Sequence, residues 1–366
     1  MDGGGHLGAV VARRPPRLRV IVFGGYGVFG SLVCRALADR GVHVTVAGRD
    51  LARATQLAQA PGPAHRACAT DVLSAGSARA ALGGQKVAVH CAGPFAAQDP
   101  VLLEACLEAR CHYVDIADDR AYVARVRTQA GRFHDAGLTA AVGCSSLPGL
   151  SGALAVLARA GRTDAPARAR LTLYIGNDNA KSATAVRSVV SGLGQPIAAP
   201  QGTRHAFRES ERVDLPPPFG PRVAHLLDSP EYDLLPHALG VRDLRVLVGF
   251  ENRAAGPAFA VLARLGWRGG ARAAAVLARA GSLIRTGSSG GGVIADLFWP
   301  DGTRHREGLH APEGGQRLAA LPAALVAHAL AGDTSRPRGV VTAYELMGAG
   351  GLISAMESAG FQRLRT

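Results

Sequence analysis

Short apolar runs alternate with helix-length amphipathic segments through the first 150 residues of the chain. The first run, residues 18–23, is rich in β-branched residues and ends in glycines, which is typical of a buried parallel strand. Further strands are predicted at 42–46, 65–69, 86–90, 112–115 and 138–142, with helices at 31–38, 51–60, 74–82, 100–109 and 120–136. Strands that alternate with helices of this length predict an α/β domain built on a Rossmann-type, doubly wound parallel sheet.

The pattern changes after residue 150. Strands are predicted at 171–175, 244–249, 293–299 and 303–309, the last two joined by the turn Pro300-Asp301-Gly302. Helices are predicted at 257–265, 271–280 and 315–331, while 196–218 is rich in proline and polar residues. Because strands and helices are now segregated, we expect a second, α+β domain with an antiparallel sheet. The expected divisions are a leader (1–16), the Rossmann domain (17–150), the α+β substrate or dimerisation domain (151–335) and a C-terminal segment (336–366) that packs back on the Rossmann domain.

Composition limits the classes of function. With 366 residues, 48% apolar and 19% charged, the chain is long and apolar enough for two buried cores. The net charge of +13 is carried by arginine, since Lys86 and Lys181 are the only lysines. Such a charge attracts polyanions, but the arginines are scattered and no groove-reading motif accompanies them. We therefore expect no nucleic-acid partner.

Cysteine use and the apolar stretches indicate the compartment. The six cysteines form no CxxC pair, so we expect reduced thiols and no metal site. Residues 1–16 lack the apolar core of a secretory signal, and arginines interrupt the apolar stretch 258–284. A cytoplasmic protein without an integral membrane segment is expected. A contact of the basic helical pair in 258–284 with anionic lipid stays open.

A glycine-rich loop joins the first predicted strand to the first predicted helix. Its residues are Gly25, Tyr26, Gly27, Val28, Phe29 and Gly30. In the Rossmann fold, Gly25 makes the tight turn, Gly27 lets the backbone approach a pyrophosphate, and Gly30 lets the helix pack on the sheet. The N–H groups at the start of the helix then bind the phosphates. The loop therefore predicts a dinucleotide site.

The end of the second strand indicates which dinucleotide is bound. An acidic residue at this position binds the ribose 2'-hydroxyl of NAD, but here the sequence is Ala47-Gly48-Arg49-Asp50. Ala47 and Gly48 leave room, and Arg49 offers a bidentate partner for the 2'-phosphate of NADP. Asp50 conflicts with this interpretation unless it caps the next helix. We predict NADP(H) as the cofactor.

Two later strand ends complete the predicted cofactor site. Asp71 follows the third strand, where residues of this fold approach the adenine, although it also suits a helix cap. Ala92, Gly93, Pro94 and Phe95 follow the fourth strand, at the edge where the crevice of such a sheet lies. Small residues there leave space for the nicotinamide ribose, and Phe95 is placed to flank the ring. An ordinary strand-ending turn is the alternative.

The candidates for proton transfer lie beyond the fifth and sixth strands. Asp115 and Asp118 follow the fifth strand, and a carboxyl desolvated in the crevice could hold a proton near neutral pH. Helix capping is the alternative role for both. Tyr113 and Cys144 are further candidates, although a buried structural thiol is the favoured role for Cys144, because no basic neighbour that would lower its pKa is evident.

Taken together, these motifs resemble the saccharopine dehydrogenase-like (saccharopine reductase-like) family of NADP-binding oxidoreductases. The resemblance rests on the loop 24–30, on Ala47–Asp50 and on residues 90–95, 111–116 and 136–149. It implies NADP(H) binding, a Rossmann domain and an α+β domain that covers the nicotinamide. For authentic members it also implies reversible condensation of an amine with a carbonyl, by hydride transfer to an imine.

One segment departs from the authentic enzymes. Those that make saccharopine have acidic and histidine residues in the segment that here spans 146–152, and none is present. Arg187, Arg204, Arg208, Arg222 and His225 are available in the second domain to bind a charged substrate, but no pattern singles one out. Saccharopine itself is therefore disfavoured as the substrate.

These observations predict an NADP(H)-dependent oxidoreductase that acts on a small imine, carbonyl or activated double bond. The alternative is a non-catalytic NADP(H)-binding protein with a structural or sensing role. The expected partner is a small-molecule substrate, and a homodimer is compatible with the predicted second domain.

Overall fold

A computed structural model defines the fold of the chain. It describes residues 18–60, 65–159, 161–180, 183–267, 272–273, 276, 287–332 and 336–366. The helix predicted at 271–280 lies outside these ranges, apart from three residues. Among the described residues, no helix is both long and apolar enough to cross a bilayer.

The first sheet is wholly parallel and has the strand order β15-β6-β5-β4-β1-β2-β3. Its strands are β1 (Arg19–Phe23), β2 (His43–Gly48), β3 (Arg66–Ala69), β4 (Val87–His90), β5 (His112–Asp115), β6 (Thr139–Val142) and β15 (Gly339–Thr342). The central strand β1 is buried from Val20 to Phe23 because helices cover both faces of the sheet. The predicted Rossmann-type fold is confirmed.

The helices of this sheet follow the predicted alternation. They are α1 (Val28–Ala38), α2 (Leu51–Ala58), α3 (Ala75–Ala81), α4 (Val101–Glu108), α5 (Arg120–Arg127) and α6 (Ala130–Asp135). The single helix predicted at 120–136 is wrong, because α5 ends at Thr128, whose hydroxyl donates to the Arg125 carbonyl at 2.7 Å. A new helix then begins after Gln129.

The second sheet has the strand order β10-β11-β12-β7-β13-β14-β16. Its strands are β7 (Arg168–Ile175), β10 (Ser210–Asp214), β11 (Pro221–Leu226), β12 (Asp243–Phe250), β13 (Gly291–Phe298), β14 (Arg304–Ala311) and β16 (Gln362–Arg365). β13 and β14 form the predicted hairpin. The expectation of an antiparallel sheet is wrong for β7 and β12, which pair in parallel. A long connection between them includes a helix that packs on β12, and this allows the crossover.

The remaining elements lie between and after these strands. They are α7 (Ser151–Ala158), α8 (Ala183–Gly192), β8 (Pro196–Ala199), β9 (Gly202–His205), α9 (Glu231–Leu239), α10 (Ala255–Arg264), α11 (Arg317–Gly332), α12 (Ala343–Met347) and α13 (Ala349–Ser358). α11 packs against α1 and β4 of the first sheet. The last part of the chain serves both sheets, because β15 pairs with β6 and β16 pairs with β14. The domain boundaries at 150 and 335 stay a prediction.

A buried ion cluster fixes the centre of the second sheet. Asp296 on β13 is completely buried and faces Arg170 on β7 and Arg306 on β14 in register. Its carboxylate accepts hydrogen bonds from Arg170 at 2.8 Å, Arg304 at 2.8 Å and Arg306 at 2.8 Å. Burial alone would raise the pKa of Asp296, but Arg306 and Arg170 outweigh it and hold the pKa below its usual value.

We expect Asp296→Asn to lower the free energy of unfolding by about 3–5 kcal/mol at neutral pH, because three guanidinium groups lose their shared carboxylate. Urea denaturation measures the change, and the exposed Asp135→Asn is the matched control, with little effect expected. The difference in free energy of unfolding between the wild type and Asp296→Asn should shrink as the pH falls through the lowered pKa of Asp296. A loss no larger than that of the control would contradict this assignment.

Candidate cofactor site and neighbouring carboxylates

The loop between β1 and α1 is shaped by close backbone contacts. A Cβ atom at Gly30 would lie 2.2 Å from the Gly24 carbonyl oxygen, and one at Gly25 would lie 2.9 Å from the Val22 carbonyl oxygen. Side chains are therefore excluded at Gly25 and Gly30. Gly27 is the N-cap residue of α1, and a Cβ atom added there would lie 3.1 Å from the Gly24 carbonyl oxygen.

The first turn of α1 offers free hydrogen-bond donors. The N–H groups of Val28, Phe29 and Gly30 have no acceptor among the described residues, and the Ser31 N–H is the first to bond back, to Gly27 at 2.9 Å. No side chain caps this end, and its first turn has no acidic residue. Such a helix end binds phosphate groups, so the loop fits a dinucleotide.

The ring of Tyr26 occupies the space above Gly48. We expected the small residues Ala47 and Gly48 to leave this space for the ligand. A Cβ atom at Gly48 would lie 2.4 Å from the Tyr26 ring, so that expectation is wrong. The Tyr26 hydroxyl accepts the Asp50 N–H at 3.0 Å, and the Arg53 guanidinium lies 4.6 Å from the ring centre. The Tyr26 side chain thereby joins the phosphate loop to the end of β2.

Arg49 and Asp50 have different roles at the end of β2. The Asp50 carboxylate accepts the Arg53 N–H at 3.1 Å and caps α2. Arg49 is exposed and makes no hydrogen bond or ion pair within the described part of the chain. A guanidinium that no acidic side chain engages is available for a phosphate, as the 2'-phosphate of NADP requires.

Asp71 is half-buried in the turn that follows β3. Its carboxylate accepts the Leu73 N–H at 3.1 Å, and its own N–H donates to the Ser77 hydroxyl at 3.2 Å. The side chain therefore holds this turn before α3, and its predicted position beside the adenine stays a prediction.

The loop after β4 is held by two buried polar side chains that sequence reasoning missed. The His90 Nδ1 accepts the Ala92 N–H at 3.3 Å, while the Gln98 amide donates to the carbonyls of Ala92 at 2.6 Å and Pro94 at 3.1 Å. His90 Nε2 contacts Gln98 Oε1 at 3.1 Å. Burial lowers the pKa of His90 to about 4, so the ring is neutral at physiological pH.

This loop lies against the phosphate loop, and its Phe95 packs into a neighbouring aromatic core. A Cβ atom at Gly24 would lie 2.9 Å from the Ala92 Cα, so the two loops touch. Ala92, Gly93 and Pro94 are half-buried there. Phe95 is instead 6% exposed and packs against His90 and Tyr122, with ring centres 4.9 and 5.1 Å apart. The ring thus belongs to the aromatic core, and its predicted position beside the nicotinamide stays a prediction.

Asp115 is a fully buried carboxyl at the end of β5. Its Oδ1 accepts the N–H groups of Gly143 at 2.7 Å and Ala117 at 3.0 Å, which joins the ends of β5 and β6. Its Oδ2 is buried and has no hydrogen-bond partner among the described residues. Burial raises the pKa of Asp115 to about 6, against the opposing effect of the two N–H groups.

Asp118 has a different environment from Asp115. Asp119, and not Asp118, caps α5, since its carboxylate accepts the Tyr122 N–H at 2.8 Å. The Asp118 side chain reaches solvent, but the protein that surrounds it removes enough water to raise its pKa. A carboxyl with these properties could exchange a proton with a small molecule.

The other two candidates are buried. The Tyr113 hydroxyl is hydrogen-bonded to that of Tyr122 at 2.9 Å, and burial raises the pKa of Tyr113 well above its usual value. The Cys144 side chain is completely buried, and burial raises its pKa in the same way. A thiol in this state stays protonated, so the environment of Cys144 is that of a structural residue.

A buried carboxylate from α9 lies beside the segment 146–152. The Ser151 hydroxyl donates to Glu231 at 2.6 Å, and the Ser229 hydroxyl donates to the other carboxylate oxygen. Glu231 is completely buried, which raises its pKa. The segment has no acidic residue of its own, and Glu231 supplies a carboxylate there from 80 positions along the chain. No local sequence signal could have revealed this contact.

The Tyr344 ring packs directly against Gly152 in that segment. A Cβ atom at Gly152 would lie 2.3 Å from this ring, so no side chain fits at that position. The segment is therefore packed by Glu231 from α9 and by Tyr344 from α12.

We expect Asp115→Asn to raise the free energy of unfolding at pH 7–8, because the buried charge is removed while an amide oxygen can still accept both N–H groups. The gain is up to about 3 kcal/mol for a shift of about two pKa units. The pKa of Asp115 is near 4 in the unfolded chain and about 6 in the folded protein, so the wild type loses stability as the pH rises from 4 to 6. The gain in free energy of unfolding from Asp115→Asn should therefore vanish below pH 4. Urea denaturation across pH measures this dependence, and a gain that does not vary with pH would contradict it.

Comparison with known proteins assigns the first domain. Residues 20–141 match the family model described as the saccharopine dehydrogenase NADP binding domain. Carboxyaminopropylagmatine dehydrogenase of Synechocystis sp. is 34% identical over 146 residues, which cover 37% of this chain and 36% of that protein. The match thus spans about a third of the relative's length.

A solved structure extends the likeness of fold to nearly the whole chain. Apo saccharopine dehydrogenase (L-Glu forming) from Saccharomyces cerevisiae matches with a TM-score of 0.64 and 14% identity, over 95% of this chain and 99% of that one. Both the Rossmann-type sheet and the second sheet are thus part of a known architecture. The first domain binds NADP(H), as the sequence predicted, and it is similar to the NADP-binding domain of the saccharopine dehydrogenase family.

Proposed function

We propose that this protein is an NADP(H)-dependent oxidoreductase that transfers hydride to or from a small imine, carbonyl or activated double bond. The proposal rests on one arrangement, in which an open phosphate-binding helix end, an unpaired Arg49 and the solvent-accessible Asp118 belong to the carboxyl edge of one sheet. The two named relatives are dehydrogenases, which supports this class of reaction.

The binding residues follow from the geometry. The N–H groups of Val28, Phe29 and Gly30 would hold the pyrophosphate, and Arg49 would hold the 2'-phosphate. When bound, NADPH supplies the hydride for the reaction. The loop of Ala92 and Pro94, held rigid by Gln98, would form the wall beside the nicotinamide ribose.

The proton is assigned to Asp118. Its carboxyl is solvent-accessible and its pKa is raised, so it can give a proton to a reduced product or take one from a substrate. Asp115 lies behind it, and its two backbone hydrogen bonds hold the loop that carries Asp118. In this proposal Cys144 packs the floor of the site and carries no proton.

Turnover assays test the proposal. NADPH oxidation is followed by absorbance with amine and oxoacid pairs, aldehydes and activated alkenes, each compared with the cofactor alone. Substrate-dependent oxidation is expected for one of these classes. Tight NADPH binding without turnover across the whole panel would overturn the proposal and favour a structural or sensing role.

Arg49→Asp should raise the KM for NADPH at least tenfold more than the KM for NADH, because a charge-assisted contact with the 2'-phosphate is worth about 1.5–3 kcal/mol. Arg35→Asp is the matched control, since Arg35 is an exposed residue of α1 in the same domain. Equal increases in the KM for NADPH and for NADH would show that Arg49 does not bind the 2'-phosphate.

Asp118→Asn should lower kcat by about a hundredfold, since general acid–base catalysis contributes roughly 10²–10⁴-fold. The pH profile of kcat/KM should also lose one limb, which a structural role would not remove. Asp135→Asn, an exposed carboxylate on α6, serves as control. If both variants keep the wild-type profile, another group carries the proton.

A further inference from the structure

Most arginines on the second sheet are paired with acidic side chains. Asp296 holds three of them, and Glu211 bonds to Arg168, Arg170 and Arg245. Asp243 contacts Arg168, Arg204 and Arg245. Arginines that line one cavity without an ion pair to a carboxylate among the described residues therefore differ from the rest.

Three such arginines surround one cavity of about 230 Å³. Arg212 on β10, Arg222 on β11 and Arg253 before α10 line it, together with Phe250 and Gly256. No ion pair to any of the three arginines exists among the described residues. The stretch 268–286, outside the described residues except for 272, 273 and 276, contains no Asp or Glu in its sequence.

The charge of Arg222 is poorly compensated. Its Nη1 donates to the Pro221 carbonyl at 3.0 Å, while its Nε is buried without a partner among the described residues. Burial and the charge of Arg253 lower the pKa of Arg222. Glu251 lies nearby, but its oxygens accept the N–H groups of Asn177 at 2.7 Å and Ser288 at 2.8 and 3.0 Å.

The start of α10 faces the same cavity. This helix has no side-chain cap and no acidic residue in its first turn. Gly256 lines the cavity, and its N–H has no acceptor among the described residues. A positive helix end therefore adds to the field of the three arginines.

His225 is a second unsatisfied polar group at this place. It is 3% exposed, and neither ring nitrogen has a hydrogen-bond partner among the described residues. Its Nε2 points at Gly256, where a Cβ atom would lie 2.5 Å away. Its ring stacks on Phe207, with centres 5.7 Å apart. A buried polar group that the described residues leave unpaired thus packs directly behind Gly256, which lines the cavity.

We propose that Arg212, Arg222, Arg253 and the first turn of α10 form a binding site for a compact oxyanion, the carboxylate or phosphate group of a small molecule. The cavity is smaller than the roughly 300–1,000 Å³ of typical pockets for drug-sized ligands, so it takes an anionic group and not a whole dinucleotide. The site lies on the second sheet and is separate from the phosphate loop at Gly25–Gly30. The proposal does not depend on the proposed oxidoreductase activity.

Titration calorimetry with inorganic phosphate and with malonate, at constant ionic strength in chloride, tests the site. At least one anion should bind, and Arg222→Gln and Arg253→Gln should each weaken its affinity at least tenfold. Arg242→Gln is the matched control, because Arg242 is exposed on the same domain and does not line the cavity. Preference for phosphate indicates a phosphorylated ligand, and preference for malonate indicates a carboxylate ligand.

Urea denaturation gives an independent readout. The anion should raise the midpoint of the wild type and of Arg242→Gln but not that of the two cavity variants. Without the anion, the cavity variants should be at least as stable as the wild type, since one of three repelling charges is gone. Unchanged NADPH affinity confirms that they fold. Absence of binding for both anions, or wild-type affinity in both cavity variants, would overturn the proposal.

Discussion

The close approach of α1 to the backbone of Gly24 is the constraint on which the rest of the cofactor site depends. Only a residue without a side chain fits at Gly30, so the helix can start directly above the end of β1 with its N–H groups open. The same Gly24 touches Ala92, which places the loop after β4 beside the phosphate loop. Tyr26 then reaches over Gly48 and ties this loop to the end of β2. Three strand ends are thereby held around one space.

Buried polar groups stabilise the other loops around this edge of the sheet. Asp115 joins the ends of β5 and β6 through backbone N–H groups, and Gln98 holds the carbonyls after β4. Glu231 holds Ser151 at the start of α7. The bonds from Asp115 to Gly143 and from Ser151 to Glu231 join elements that are distant in sequence, while Gln98 holds carbonyls four and six positions away in its own loop. The Oδ2 of Asp115 is the exception, since it has no hydrogen-bond partner among the described residues, and burial raises the pKa of this carboxyl.

The sequence predicts the first sheet well, because parallel strands that are buried on both faces appear as continuous apolar runs. The tight turn at Gly25–Gly30 could be predicted because it depends on the local backbone, while the binding roles of this loop and of Arg49 stay predictions. The parallel pairing of β7 and β12 could not, since strand direction depends on a long connection that carries no local pattern. The strands β8, β9 and β10 lie in a proline-rich stretch for which we predicted no strand, because the hydrophobic periodicity of half-exposed strands is weak. The same limit explains Phe95 and Glu231, whose surroundings come from side chains elsewhere in the chain.

Equilibrium binding of the two nicotinamide cofactors to the wild-type protein tests the proposed cofactor site most directly. Titration of the protein with NADPH and with NADH, followed by fluorescence at one ionic strength, gives both Kd values. The open helix end should bind the pyrophosphate of both, and the unpaired Arg49 should add a contact for the 2'-phosphate alone. We predict a Kd for NADPH about tenfold or more below that for NADH. Equal affinities, or tighter binding of NADH, would contradict the account.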